Sequence, residues 1–246
     1  MTASRTAAVE LAALHMDYPD PSSSLVRSCR TELGDVCSVG LTLAVDAALA
    51  QRVSLAATGP LAARGEALQI NLGEGPCVEA LNHRRAVLVP DLDDPDATAA
   101  WPVYAQQARA DGIRAAFALC AVLQPGRTGP QPGLVLSVYR ARPGPLPDAD
   151  LEAVRVHLHA ADLLLLTVPV PGEDDIADAW LLPADAVVHQ ATGMISYRHD
   201  VTTGQALALL RAHAHTRRTD LHDLARAVVH EGLRLPPLPP PDPTDR

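Results

Sequence analysis

The chain of 246 residues contains no lysine, and aromatic residues make up only 3% of it. All 20 basic side chains are therefore arginines, and any core must be built mainly from Ala, Leu and Val. The four cysteines are Cys29, Cys37, Cys77 and Cys120; they form no Cys-x-x-Cys pair, so reduced thiols in a cytoplasm are expected. No apolar run is long enough for a membrane span, and no signal-peptide pattern opens the chain. The sequence predicts a cytoplasmic protein without a membrane partner.

Motifs for catalysis and metal binding are also missing. The chain has no Gly-x-Ser-x-Gly, no Gly-rich phosphate loop with Lys and no His-Glu-x-x-His. The pairs His157/His159 and His213/His215 are two residues apart, which places their side chains on different helix faces. No Cys or carboxylate set completes a metal site. We therefore expect no enzyme activity, no catalytic residue, no metal and no cofactor.

The charge is uneven along the chain. The net charge of −9 argues against a protein that binds nucleic acid over its whole length. Residues 181–235, however, carry six Arg and five acidic residues, a net charge of +1, and six of the ten His. The remainder of the chain carries −10. Any RNA-binding surface is therefore expected in the C-terminal segment.

Apolar patterning predicts an α+β domain followed by a small all-α domain. The predicted organisation is an N-terminal extension with a helical turn or two at 1–24, an α+β sensor domain at 25–167, a linker at 168–179, a helical domain at 180–235 and a Pro-rich tail at 236–246. The expected strands are 36–45, 53–58, 86–90, 114–123 and 133–139. The last two form a hairpin at the edge of the sheet, joined by a Gly/Pro-rich turn at 124–132, and a helix covers 148–166.

Five motifs in the α+β segment carry a family resemblance. They are Leu72–Ala80, Val89–Leu92, Trp101-Pro102, Gly112–Ala115 and Gly133–Leu136. Their order and spacing resemble those of GAF sensor domains. The resemblance implies a central antiparallel sheet with helices on both sides, a possible cavity for an unidentified small-molecule ligand on one side, and helices for homodimerisation on the other.

Four residues of this segment are candidates for the ligand pocket: Cys77, Trp101, Tyr104 and Phe117. Cys77 follows Pro76 at a predicted helix N-terminus, where a thiol can have a lowered pKa and act in redox sensing. The alternative for Cys77 is a small buried residue that closes the turn. For the three aromatic residues the alternative is core packing, and the scarcity of aromatic residues in the chain favours it.

Three short helical patterns follow, at Gln190–Ile195, Gln205–Ala214 and Leu221–Val229. Small residues fall where these helices would touch. Asp200 and Thr202 or Thr203 are suited to cap the second helix, and Asp220 is suited to cap the third. This order of small and apolar residues resembles the ANTAR domain, an RNA-binding output module of bacterial antitermination regulators. The resemblance implies a three-helix domain that recognises RNA stem-loops.

The RNA-binding candidates are polar residues of this segment to which helix packing assigns no role: Gln190, Thr192, Arg198, Arg211, His215, Arg217 and Arg218. Tyr197 is a further aromatic side chain on which an RNA base could stack. The sequence departs from the family pattern at Asp185, Thr192 and His215, where basic residues are usual. The resemblance implies a regulator that binds RNA stem-loops to control transcription termination, with the GAF-like domain sensing a signal or forming a homodimer. The alternative is a ligand- or redox-sensing protein whose C-terminal module binds a protein partner.

Overall fold

The computed structural model describes residues 2–16, 18, 20–33, 37–44, 52–122, 133–167 and 183–236. The chain divides into two compact units, Met1–Ala179 and Trp180–Arg246. The predicted turn at 124–132, the predicted linker at 168–179 and the tail beyond Pro236 lie outside the described residues. No helix in the described part of the chain is long and apolar enough to cross a membrane.

The first unit is built on a five-stranded antiparallel sheet. Its strands are β1 Cys37–Ala44, β2 Arg52–Ala57, β3 Val87–Val89, β4 Ala115–Val122 and β5 Gly133–Arg140. They lie in the order β2-β1-β5-β4-β3. The prediction that the β4–β5 hairpin forms the edge of the sheet is wrong, because β5 is the central strand and pairs with both β1 and β4.

Helices cover both faces of this sheet. One layer holds α1 Thr2–Met16, α2 Pro21–Glu32 and α7 Asp148–Thr167; the other holds α3 Gly59–Leu72, α4 Pro76–His83, α5 Pro95–Ala100 and α6 Pro102–Ala110. α1 is a helix of 15 residues that packs against α7, so it is longer than the one or two turns predicted. Its buried Ala8 and Ala12 lie four residues apart, on one helix face.

Local sequence signals explain where α3 ends and where α4 begins. Gly73 has φ 72° and follows α3, a left-handed conformation that glycine adopts without a steric penalty. Gly75 has φ 123° and precedes α4, whose first residue is Pro76. Proline suits this position because its missing N–H would have no helical partner there.

The second unit is a bundle of three helices, α8 Pro183–His199, α9 Thr203–Arg217 and α10 Leu221–His230. The side chain of Thr202 accepts a hydrogen bond from the Gln205 amide, and that of Gln205 returns one to Thr202, which forms a capping box at the start of α9. Asp220 caps α10 by accepting from the His222 amide at 2.8 Å. Of the three residues proposed to cap α9, Thr202 is the cap, whereas Asp200 precedes it and Thr203 is the first residue of the helix. The predicted Asp220 cap is confirmed, and so is the predicted fold class: an antiparallel sheet with flanking helices, followed by three helices.

Candidate nucleic-acid interface

Small and apolar residues hold the three helices of the second unit together. Ala191, Ala206 and Ala225, one from each helix, have no exposed surface. Larger side chains fill the space around them: Ile195, Leu210, Leu221, Leu224 and Val228, all at most 3% exposed. The contacts that form the bundle are therefore made mainly by small and apolar residues.

The structure exposes five of the seven predicted RNA-binding residues: Gln190, Arg198, His215, Arg217 and Arg218. Arg211 is half-buried and interacts within the structure. The prediction for Thr192 is wrong, because this side chain is only 6% exposed and its hydroxyl donates a hydrogen bond to the Val188 carbonyl at 2.7 Å. Thr192 thus belongs to the interior of the bundle.

One face of α8 is open. Gln190, Gly193 and Tyr197 are spaced by three and four residues, so they lie on the same side of the helix. Tyr197 is 91% exposed, and a Cβ placed on Gly193 would meet no atom within 4 Å. Glycine inside a helix costs about 1 kcal/mol relative to alanine. No packing contact in the described structure explains this glycine.

The chain does not leave the bundle at the end of α10. Residues 232–236, which we name the C-terminal strap, turn back at Gly232, where φ is 70°, and lie against α8 and α9. His199 Nε2 donates to the Leu235 carbonyl at 3.0 Å, and His213 Nε2 donates to the Pro236 carbonyl at 2.8 Å. Leu235 is only 4% exposed. The strap is therefore an ordered part of the second unit.

The strap and the end of α8 line a half-open cavity of about 470 Å³. The cavity is lined by Ile195, Arg198, His199, Arg234, Leu235 and Pro236. Two of these side chains carry guanidinium groups and none is acidic. Sequence reasoning selected Arg198 but missed Arg234, because Arg234 follows the last helical pattern and stands beside a Pro-rich segment.

In the first unit, three of the four predicted pocket residues belong to one buried cluster. Cys77, Trp101 and Tyr104 are at most 8% exposed and pack together between the sheet and the α3–α6 layer. Phe117 is also buried but does not join them. Its neighbours Ala116 and Ala118 do, and side chains alternate along a strand, so Phe117 points to the opposite face of β4.

The redox hypothesis for Cys77 requires a reactive thiol, which the structure does not provide. Burial, and then the nearby Glu66 carboxyl, raise the pKa of Cys77 above its ordinary value. The prediction of a lowered pKa at the helix N-terminus is therefore wrong, because desolvation opposes the thiolate. Cys77 is a small buried residue of the core.

A polar network that the sequence analysis missed lies in the same layer. Glu66 is 1% exposed; it accepts hydrogen bonds from Thr42 and, at 2.7 Å, from the Tyr139 hydroxyl. Gln69 donates to the Tyr139 hydroxyl at 2.7 Å and accepts from the Cys77 amide at 2.6 Å. The sequence did contain a signal, since Ala62, Gly65, Glu66 and Gln69 have the spacing of one buried helix face.

The Glu66 carboxyl accepts from neutral hydroxyl groups, those of Thr42 and Tyr139. Burial raises the pKa of Glu66, and the hydrogen bonds from Thr42 and Tyr139 offset only part of that effect. The side chains also fill the space: a Cβ on Gly65 would lie 2.5 Å from the Tyr139 ring, and one on Gly40 would collide with Glu66. Among the described residues, no group of three or more His, Cys, Asp or Glu could hold a metal ion.

Comparison with known proteins identifies the second unit. The family model of the ANTAR domain matches residues 182–229, which include α8, α9 and all but the last residue of α10. The C-terminal unit is therefore an ANTAR domain, as its sequence resemblance predicted. The cavity at the strap extends beyond this match, because Arg234, Leu235 and Pro236 follow residue 229.

Comparison with solved structures finds a distant likeness. The chain is similar to free methionine-R-sulfoxide reductase from Neisseria meningitidis, in an X-ray structure with its substrate. The identity is 18%, the match covers 67% of this chain and 92% of that chain, and the TM-score is 0.42. A likeness at this level carries no inference about the activity of this chain. No curated protein matches it.

Proposed function

We propose that this protein is a regulator that binds RNA stem-loops through its ANTAR domain and thereby controls transcription termination. The observation that carries the proposal is the ANTAR match to residues 182–229, because this family is an RNA-binding module of antitermination regulators. The protein acts by binding and without chemistry. The N-terminal unit, which resembles GAF domains in sequence, senses a signal or forms the homodimer.

The exposed cations of the bundle support this proposal. Arg217 and Arg218 stand at the end of α9 with exposed side chains. Guanidinium groups bind phosphate oxygens in a bidentate manner, which provides affinity without sequence selection. Tyr197 and Gln190 supply an exposed stacking surface and an exposed amide on α8, which are the groups that unpaired RNA bases require.

The test is a filter-binding titration of the full chain against stem-loop RNA with an exposed hexaloop, at 50 and 200 mM salt. We expect saturable binding that weakens as the salt concentration rises. The plot of log affinity against log salt concentration should become steeper by about 0.7–0.9 for each phosphate contact. The variant Arg211→Ala/Arg217→Ala/Arg218→Gly should bind more weakly. Glycine is used at position 218 because Arg218 has φ 53°, which alanine adopts only with strain.

The matched control removes three exposed arginines from the first unit, as Arg5→Ala/Arg64→Ala/Arg142→Ala. It changes the net charge by the same amount and should leave RNA affinity nearly unchanged. Equal affinity of both triple variants and the wild-type chain would contradict our assignment of these contacts. Absence of RNA binding by the wild-type chain at 50 mM salt would contradict the proposed function itself.

A protein partner for the C-terminal unit is the second candidate. The observation that favours it is the loss of positive charge at Thr192 and His215, where the family resemblance leads one to expect basic residues. In this alternative the first unit could sense a ligand or a redox signal. The burial of Cys77 argues against redox sensing through that thiol. A partner that stays bound to the full chain after RNase treatment and at high salt would support it.

A further inference from the structure

The cavity at the C-terminal strap has the properties of an anion site. Its two charged side chains, Arg198 and Arg234, are both cationic and come from different segments, α8 and the strap. No acidic side chain lines it. Ile195, Leu235 and Pro236 supply an apolar wall. A site with paired guanidinium groups beside an apolar wall fits a ligand that has both a phosphate and a flat or sugar-like part.

The walls of this cavity are held in place by hydrogen bonds within the unit. The strap carbonyls of Leu233 and Leu235 accept from Arg198 Nη1 at 3.5 Å and from His199 Nε2 at 3.0 Å. A carbonyl oxygen can only accept, so Nε2 of His199 carries its proton. The same segment is fixed on its other side by His213 and by the buried Leu235 side chain. The backbone on both sides of Arg234 is thus held against the bundle.

We propose that this cavity binds one nucleotide of the RNA, with its phosphate between Arg198 and Arg234. The inference rests on the proposed function, since the RNA supplies the nucleotide. The cavity volume of about 470 Å³ matches a small-molecule site and is too small for a folded protein partner. Arg234 lies outside the residues that match the ANTAR family, so this contact is a property of the present chain.

A nucleotide within RNA and a free nucleotide both present a phosphate and a nucleoside, so the experiment must distinguish these two sources. The experiment compares the full-length wild-type chain with Arg234→Gln and with Arg198→Gln/Arg234→Gln. The control is Arg226→Gln, which removes one exposed arginine of α10 that does not line the cavity. Circular dichroism confirms that each variant is folded. Each protein is titrated with stem-loop RNA at several salt concentrations, and separately with adenosine monophosphate.

We expect the double variant to bind RNA about tenfold more weakly and its salt slope to fall by about 1, the loss of one phosphate contact. Arg234→Gln alone should show a smaller loss in the same direction, and Arg226→Gln should behave like the wild-type chain. Adenosine monophosphate should compete with RNA only at far higher concentration, because the rest of the RNA supplies additional contacts.

Three results would overturn the inference. If the wild-type chain binds RNA and Arg234→Gln matches Arg226→Gln in affinity and slope, the cavity takes no part although the proposed function stands. If RNA does not bind but adenosine monophosphate binds the wild-type chain and not the double variant, the occupant is a free nucleotide and both proposals are wrong as stated. If neither ligand binds, the cavity is not a nucleotide site and the proposed function falls with it.

Discussion

The buried Glu66 carboxyl should make the stability of the first unit depend on pH, and Glu66→Gln should remove that dependence. Burial raises the pKa of Glu66 in the folded protein above its ordinary value of 4.5. The folded state therefore holds this proton at pH values where the unfolded state has released it. In that window stability falls as pH rises, by about 1.4 kcal/mol per pH unit for one proton.

The predicted magnitude follows from the environment of the side chain. Glu66 is 1% exposed, and it accepts hydrogen bonds from hydroxyl groups that include those of Thr42 and Tyr139. Such donors stabilise a carboxylate far less than a buried cation would. We therefore expect the wild-type chain to lose stability relative to Glu66→Gln as pH rises above 4.5, with a limiting slope of about 1.4 kcal/mol per pH unit while the folded carboxyl keeps its proton. Glutamine resembles the protonated acid in shape and keeps one donor and one acceptor.

The assay is urea unfolding at pH 5.5, 6.0 and 6.5, followed by Trp101 fluorescence in a Trp180→Phe background. Trp101 is 8% exposed and lies in the same buried layer as Glu66. Burial lowers the pKa values of His15 and His157, and their contribution to stability rises with pH up to about 6.5. Both proteins contain these histidines. Subtracting the unfolding free energy of one protein from that of the other at each pH therefore removes the histidine contribution.

Glu152→Gln serves as the control, because Glu152 is an exposed acid on α7. Its unfolding curve should follow that of the wild-type chain at every pH. If Glu66→Gln also follows the wild-type chain, the carboxyl is already ionised in the folded protein and our account of the buried network is wrong.

Three further predictions concern single side chains. Iodoacetamide should label Cys77 in the native chain much more slowly than the partly exposed Cys120, and equal rates in a mass-spectrometric time course would contradict the burial of Cys77. Thr202→Ala should destabilise the C-terminal unit by about 1 kcal/mol through loss of the capping box, and unchanged thermal unfolding would disprove that role. Gly193→Ala should stabilise the same unit by up to about 1 kcal/mol, because nothing lies within 4 Å of the added methyl group. A Gly193→Ala variant that is less stable than the wild-type chain would contradict the open geometry at this position. If RNA approaches this face of α8, the same variant should also bind RNA more weakly.

Local signals made much of the fold predictable. Alternation and apolar runs located the strands, and polar caps located the starts of α9 and α10. Strand order was not predictable in this way, because β5 occupies the centre through pairings with β1 and β4 that are distant in sequence. Periodicity assigns a segment to a strand and does not say which neighbours it pairs with. The hairpin was consequently assigned to the edge.

The candidate sites were less predictable, since burial decides what a polar residue can do. Thr192 and Arg198 are both polar residues of α8, yet one is 6% exposed and bonded to its own helix while the other lines a cavity. Phe117 and Tyr104 are both buried aromatics, but strand alternation separates Phe117 from the cluster that contains Tyr104. Glu66 was overlooked because a lone glutamate in a helical segment is usually solvated.

The distribution of cations in the second unit bears on where the proposed RNA contacts would lie. The family resemblance leads one to expect a basic residue at position 192, but Thr192 is packed inside the bundle, where a lysine would have to extend past its neighbours to reach water. Arg198 at the C-terminal end of α8 and Arg234 of the strap line the same cavity. With six arginines and a net charge of only +1 over residues 181–235, the unit has little long-range attraction for RNA, so a few placed contacts must supply the affinity. We therefore expect recognition to centre on the C-terminal end of α8 and the strap, and the unequal effects of Arg234→Gln and Arg226→Gln on RNA affinity to show it.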